Sequence, residues 1–281
     1  MKVLTQQHPR VGEGPTWDPA RGAVHWVDIL GGKVHTTSLA TGETSTLSTP
    51  GVVGAAARRR QGGFVCADGE GFAVLHDDGS YEPRLRFLAP GIRMNDAKCD
   101  PRGRFWAGSC ALDFAAGKGA LHVLSPDWTY RTLLDGITQP NGLDWSPDGA
   151  TFYLIDTQAR DVLAFDCDLD DATLSNRRTF VHCGHDIPGM PDGMAVDAGG
   201  DLWIAFWGGG MLRRLDDRAR LVQEIAVPVE QPSSCAFVGD DLDQLCITSA
   251  TEGLVNTAHN GAMLLATELG ARGRPVPEFH G

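Results

Sequence analysis

The stretch Asn141-Gly-Leu-Asp-Trp-Ser-Pro-Asp148, followed by Gly149, reads as a loop, a short strand and a tight turn, with a second strand from Thr151 to Thr157. Pro147, Asp148 and Gly149 favour chain reversal for separate reasons: a fixed φ, a side chain that bonds its own backbone, and freedom at positive φ. Laid against itself, the chain repeats this hairpin six times, at Pro15–Ile29, Ala55–Leu75, Ala97–Cys110, Leu143–Thr157, Met194–Trp207 and Cys235–Ala250. The turn residues fall at Gly22, Gly62, Gly103, Gly149, Gly200 and Asp241, spaced by 40, 41, 46, 51 and 41 residues. A period in the forties, with room for two more strands per unit, is the mark of a propeller blade.

The expected fold is therefore all-β, a six-bladed β-propeller occupying residues 1–281 as one domain. In the first unit the two further strands are expected near Lys33–Leu39 and Glu43–Leu47. Apolar residues alternate in short runs such as Ala23-Val-His-Trp-Val27 and Asp201-Leu-Trp-Ile-Ala205, and no long amphipathic helix is apparent. A sandwich, the other all-β choice, gives no reason for one hairpin to recur six times. The ring needs closing, and the strand around Lys2–Thr5 is expected to complete the last blade beside Gly261–Thr267, removing an exposed edge.

Aligned on the first strand of each hairpin, four units carry an oxygen donor five residues ahead of a common point. Glu13 precedes Asp18, Asn95 precedes Asp100, Asn141 precedes Ser146 and Asp192 precedes Asp197. The second unit has Gly54 or Ala55 there, and the sixth Ser234. Innermost propeller strands surround the central channel, so these positions are expected to form a ring at one end of it. Two acids and two amides suit Ca²⁺ or Mg²⁺ and are tolerated by Mn²⁺, Fe²⁺ or Zn²⁺. The alternative for each is a turn, a cap or solvent. The returning strands place Asp28, the segment Cys110 to Asp113, Asp156, Trp207 and Ser249 around the same mouth. Arg93 is the one cation in its loop, either a contact for a polyhydroxylated ligand or a surface arginine.

Bulk properties narrow the partners. The chain has 281 residues, 42% of them hydrophobic, and a net charge of −12, which argues against nucleic-acid and anionic-membrane partners. Its seven cysteines include no C-x-x-C pair, as expected of reduced, buried thiols in a cytoplasmic protein. The N-terminus lacks an apolar signal core, and no window approaches the ~20 apolar residues of a membrane helix. Asp166-Cys-Asp-Leu-Asp-Asp171 opens like a calcium-binding helix-loop-helix but lacks Gly at position six and Glu at position twelve, so a hairpin turn is expected. His182-Cys-Gly-His185 has no second pair for zinc. No G-x-S-x-G elbow, P-loop or dinucleotide fingerprint occurs.

Gly12-Glu-Gly-Pro-Thr-Trp17, Arg93-Met-Asn-Asp-Ala-Lys-Cys-Asp-Pro-Arg-Gly-Arg104, Gln139-Pro-Asn-Gly-Leu143, Pro191-Asp-Gly-Met194 and Gln231-Pro-Ser-Ser-Cys235 occur in order across the chain. Together they resemble the SMP-30/gluconolactonase/luciferin-regenerating-enzyme family. The resemblance implies a six-bladed propeller with one divalent cation at one end of the channel, and hydrolysis of a sugar lactone such as a glucono-, galactono-, xylono- or arabinono-lactone. It implies that Glu13, Asn141 and Asp192 hold the cation (Ca, Zn, Mn, Mg or Fe), that Arg93 contacts substrate, and that Asn95 contacts substrate or completes the coordination sphere. Asp113 stands where relatives often carry an acid in a covering loop. Asp192 is the candidate base. The expected partner is a small-molecule lactone, for a monomer or small homo-oligomer. An organophosphate or other ester hydrolase using the same site, and a calcium-binding or scaffold propeller without catalysis, are the rival readings.

Overall fold

The computed structural model describes residues 1–255 and 260–281. Among the described residues, twenty-four strands form six four-stranded antiparallel sheets. Blade one runs outward through Gly12–Asp18, Ala23–Asp28, Lys33–Ser38 and Thr44–Ser48. The innermost strands of blades two to six are Val53–Arg58, Ile92–Cys99, Pro140–Trp145, Met190–Val196 and Pro232–Val238. The N-terminal strand Lys2–Gln6 pairs with Ala262–Ala266 on the outside of blade six, closing the ring as expected.

The core lies between blades. Phe64, Leu75 and Cys66 of blade two meet Val27 and Ile29 of blade one, and the other contacts repeat this arrangement around the ring. The closing contact sets Trp17, Val24 and Trp26 of blade one against Val238, Cys246 and Leu265 of blade six. Each sheet thus has two buried faces, so inner strands such as Phe64–Asp68 are buried throughout while outer ones such as Tyr81–Arg86 are mostly exposed. That is why the inner hairpins dominate the sequence pattern and the outer strands leave a fainter one.

The turns keep the repeat in phase. Gly149 adopts φ 74° and its N–H reaches Ser146 O at 2.8 Å, a conformation open to glycine at little cost. In blades one, three and five the aspartate closing the innermost strand accepts a ring N–H from the next strand: Asp18 with His25 at 3.0 Å, Asp100 with Trp106 at 2.8 Å and Asp197 with Trp203 at 3.0 Å. After Ala266 the chain crosses beneath the blades, where Phe279 is fully buried and its backbone N–H bonds Arg58 O at 2.9 Å. No helix among the described residues is long and apolar enough to cross a membrane.

Candidate functional site

Every innermost strand breaks step with its partner at one depth. Pairing shifts between Glu13 and Thr16, Val53 and Ala55, Met94 and Ala97, Pro140 and Leu143, Pro191 and Met194, and Pro232 and Ser234. Such a bulge sets an extra residue opposite its partner and re-aims a side chain away from strict pleat alternation. By register the residues at this level are Glu13, Gly54, Asn95, Asn141, Asp192 and Ser233. The sixth-blade equivalent is thus Ser233, one position before the Ser234 expected from counting, because counting along one strand does not reveal where pairing slips.

Glu13, Asn95, Asn141 and Asp192 are all 3–4% exposed. They converge on the floor of one pocket of about 370 Å³ at the channel mouth, within the size range of small-molecule sites. Asn141 Nδ2 donates to Thr157 Oγ1 at 3.0 Å and to an oxygen of Asp192. Thr157 in turn donates to Pro191 O at 2.8 Å. Asn95 Nδ2 donates to Pro140 O, and its Oδ1 accepts from Arg93 Nη1, each at 2.8 Å. Arg93 is buried beside the pocket and not on the surface, with Nη1 also donating to Met94 O at 2.8 Å.

Like charge crowds the ring. Burial pushes the Glu13 carboxyl well above the usual range, with the neighbouring carboxylates of Asp192 and Asp96 adding to it. Burial also raises Asp192 well above its ordinary value, with Asp96 reinforcing it while Arg93 and the Asn141 amide oppose it. Two buried carboxyls in contact require a proton or a cation between them. Among the described residues no three or more His, Cys, Asp or Glu side chains cluster as a metal site, so a cation held here draws on amide as well as carboxylate oxygens. The carboxamide of Asn141 offers such an oxygen at its other end. The donor set fits a hard divalent cation.

The pocket wall is divided. Gln139 and Gln158 of blade four line it and are linked by a 2.8 Å hydrogen bond. Val11, Ile29 and Leu30 of blade one and Met190 and Trp207 of blade five form apolar stretches. The loop after Ala111 contributes Leu112 and Phe114. Asp113 between them is exposed and accepts the Ala115 N–H at 3.0 Å, so the structure does not bring its carboxylate onto the wall. Of the other expected mouth residues, Asp28 accepts backbone N–H groups of Arg10, Val11 and Gly31, and Asp156 those of Thr138 and Gln139. Ser249 donates to Ala262 O, and Cys110 is fully buried opposite Arg93 in the strand pair. Asp166 lies at a hairpin where it pairs with Arg178 at 2.7 Å, and His182 bonds Asp161.

Two features of the site were missed by counting donors. One is Gln139–Gln158, for which the sequence gives no periodic signal. The other is a second level three residues beyond the first, where Lys98 and Asp144 stand among Thr16, Ala57, Ala195 and Ala236. The same alignment carried that signal, but a search for oxygen donors alone passes over a lysine.

Residues 11–251 match the family described as SMP-30/Gluconolactonase/LRE-like region. Regucalcin of Danio rerio is 35% identical over 294 residues, covering 100% of this chain and 98% of that protein. Pentonolactonase XacC of Haloferax volcanii is 33% identical, covering 95% and 93% respectively. The crystal structure of a calcium-binding protein, regucalcin, from Agrobacterium tumefaciens superposes with a TM-score of 0.93 at 28% identity, over 99% of this chain and 97% of that one. The chain belongs to the SMP-30/gluconolactonase/LRE-like family.

Proposed function

We propose that the protein hydrolyses a sugar lactone to the aldonic acid, using one divalent cation held by Glu13, Asn141 and Asp192. The reading is carried by the convergence of those side chains with Asn95 and Arg93 in a single pocket. Likeness to a pentonolactonase supports the substrate class, and likeness to a calcium-binding relative supports the cation.

When bound, the cation supplies Lewis acidity toward the lactone carbonyl and the attacking water. The chain's own residues do the rest. Asn95, fixed at both ends of its carboxamide, holds Arg93 by Nη1 and leaves the other guanidinium N–H groups to meet substrate oxygens. Asp192 takes a proton from the attacking water as its oxygen adds to the carbonyl carbon. The ring C–O bond then breaks, and Asp192 passes that proton to the ring oxygen, which leaves as a hydroxyl. Trp207 and Met190 offer apolar surface to the C–H face of the ring, while Gln139 and Gln158 face its hydroxyls. Asp113 reaches substrate in this reading only if the short loop turns it inward.

Hydrolysis of glucono-, galactono-, xylono- and arabinono-lactones is to be measured before and after exhaustive chelation, then with Ca²⁺, Mn²⁺, Mg²⁺, Zn²⁺ or Fe²⁺ restored. Activity that survives chelation undamped removes the cation from the mechanism. The apolar wall of Leu112, Phe114, Met190 and Trp207 favours one second reading, a bulkier ester or organophosphate, and such substrates belong in the same panel. Cation binding with no turnover of any substrate would leave a calcium-binding protein.

A further inference from the structure

The lower level of the channel is built as carefully as the upper. Thr16, Ala57, Lys98, Asp144, Ala195 and Ala236 line a pocket of about 120 Å³. The small side chains leave room for Arg274, which enters from the segment after the last strand. Lys98 Nζ donates to Asp144 Oδ2 at 2.9 Å and to Met194 O at 3.1 Å. Arg274 Nη2 donates to Asp144 Oδ1 at 2.8 Å and to Trp145 O at 2.7 Å, and its Nε reaches Val196 O at 3.4 Å. Asp144 also accepts the Val196 N–H at 3.0 Å.

The positions of these groups matter. Lys98 lies three residues after Asn95, Asp144 three after Asn141, and Met194 and Val196 two and four after Asp192. The knot therefore ties together the three strands that carry Asn95, Asn141 and Asp192, roughly 10 Å along the strands below them. The hydrophobic effect between blades is non-directional. Charge-assisted hydrogen bonds are directional. This ion group is only partly buried, and such a group is weak evidence for stability, but it can fix register. Arg274 is held in place by its own segment, through Gly273 N to Leu242 O at 2.7 Å and Ala198 N to Arg272 O at 2.8 Å.

We infer that Lys98, Asp144 and Arg274 are positioning residues, which set the spacing of the three strands and so the cation affinity of the ring above them. The inference rests on the reading of that ring as a cation site. Its test is calorimetric titration of Ca²⁺ and Mn²⁺ into the full-length protein, with melting curves in parallel, for wild type, Lys98→Met, Arg274→Met and the milder Arg274→Lys. Arg104→Met is the control: it removes a buried pair with Asp100, 2.6 Å apart, that touches none of the axial group. Lys98→Met and Arg274→Met are expected to weaken cation binding about ten- to a hundredfold, as loss of groups that orient ligands does. Arg274→Lys should recover part of the loss, and Arg104→Met should lower the melting temperature with affinity unchanged. Affinities within twofold of wild type in Lys98→Met and Arg274→Met, or an equal loss in Arg104→Met, overturn the inference alone. A wild type that binds neither cation overturns it together with the reading it rests on.

Discussion

Asn141 donates its carboxamide N–H to Asp192 across the seam between blades four and five, joining residues 51 positions apart. The same nitrogen reaches Thr157, whose hydroxyl donates to Pro191 O at 2.8 Å, one residue before Asp192. Asn141 and Asp192 are thus braced against each other across the seam.

Removing either carboxylate should therefore disable the ring. Asp192→Ala is expected to lose bound cation and turnover together, with kcat/KM down about a hundredfold or more. Glu13→Gln keeps the shape and should bind cation more weakly. Metal content and lactone hydrolysis on one preparation check both; an Asp192→Ala protein with full metal content contradicts the assignment.

Asn95 differs, because both ends of its amide are engaged by Pro140 and Arg93. Asn95→Ala is expected to retain cation and chiefly raise KM by freeing Arg93. Loss of the cation instead would make Asn95 a ligand. Arg93→Met should raise KM similarly, so the double variant should be little worse than either single one.

Gly54 occupies the ring position in blade two for want of space. A Cβ there would lie 2.4 Å from Asn95 O and 2.7 Å from Met94 O, both backbone atoms. Gly54→Ala is expected to cost about 1–3 kcal/mol and to weaken substrate binding through the displaced Asn95. Urea unfolding and KM measure the two effects.

Acid should destabilise the fold through buried imidazoles. Burial lowers His122 from its ordinary 6.5 to about 4, its ring nitrogens meeting Ser109 at 2.9 Å and Thr132 at 3.0 Å. Burial also lowers His35 to about 4, with Asp28 opposing. The folded state keeps these rings neutral while the unfolded chain takes up protons near 6.5. Stability is therefore full above pH 6.5 and declines as pH falls from 6.5 to 4, by on the order of 1–3 kcal/mol for each ring. His122→Gln should flatten that decline, as followed by melting temperature against pH.

The repeated hairpin was legible because blades bury both faces of their inner strands and so impose one pattern on each. Glu13, Asn95, Asn141 and Asp192 were legible because the repeat aligned them. Ser233 was missed by one position, since a slip in pairing leaves no mark on a single strand. The returning strand and the resemblance both point Asp113 to the mouth, but in the short loop its carboxylate accepts the Ala115 N–H instead. Arg274 was hidden for another reason: it belongs to no repeat, and only the path of the chain beneath the blades brings it to the axis.

The bulge that every inner strand shares has a practical corollary. Because the rim residue is freed from the in–out alternation of its neighbours, its chemistry is uncoupled from the greasy seams that hold the toroid together. Rim composition can then change wherever there is room for a side chain, whereas Gly54, with the Asn95 carbonyl 2.4 Å from any Cβ, cannot follow. Ser233, fully buried with its hydroxyl bonded to Thr248 and the Gly12 carbonyl, is where such rewriting meets resistance, because a replacement strands both partners.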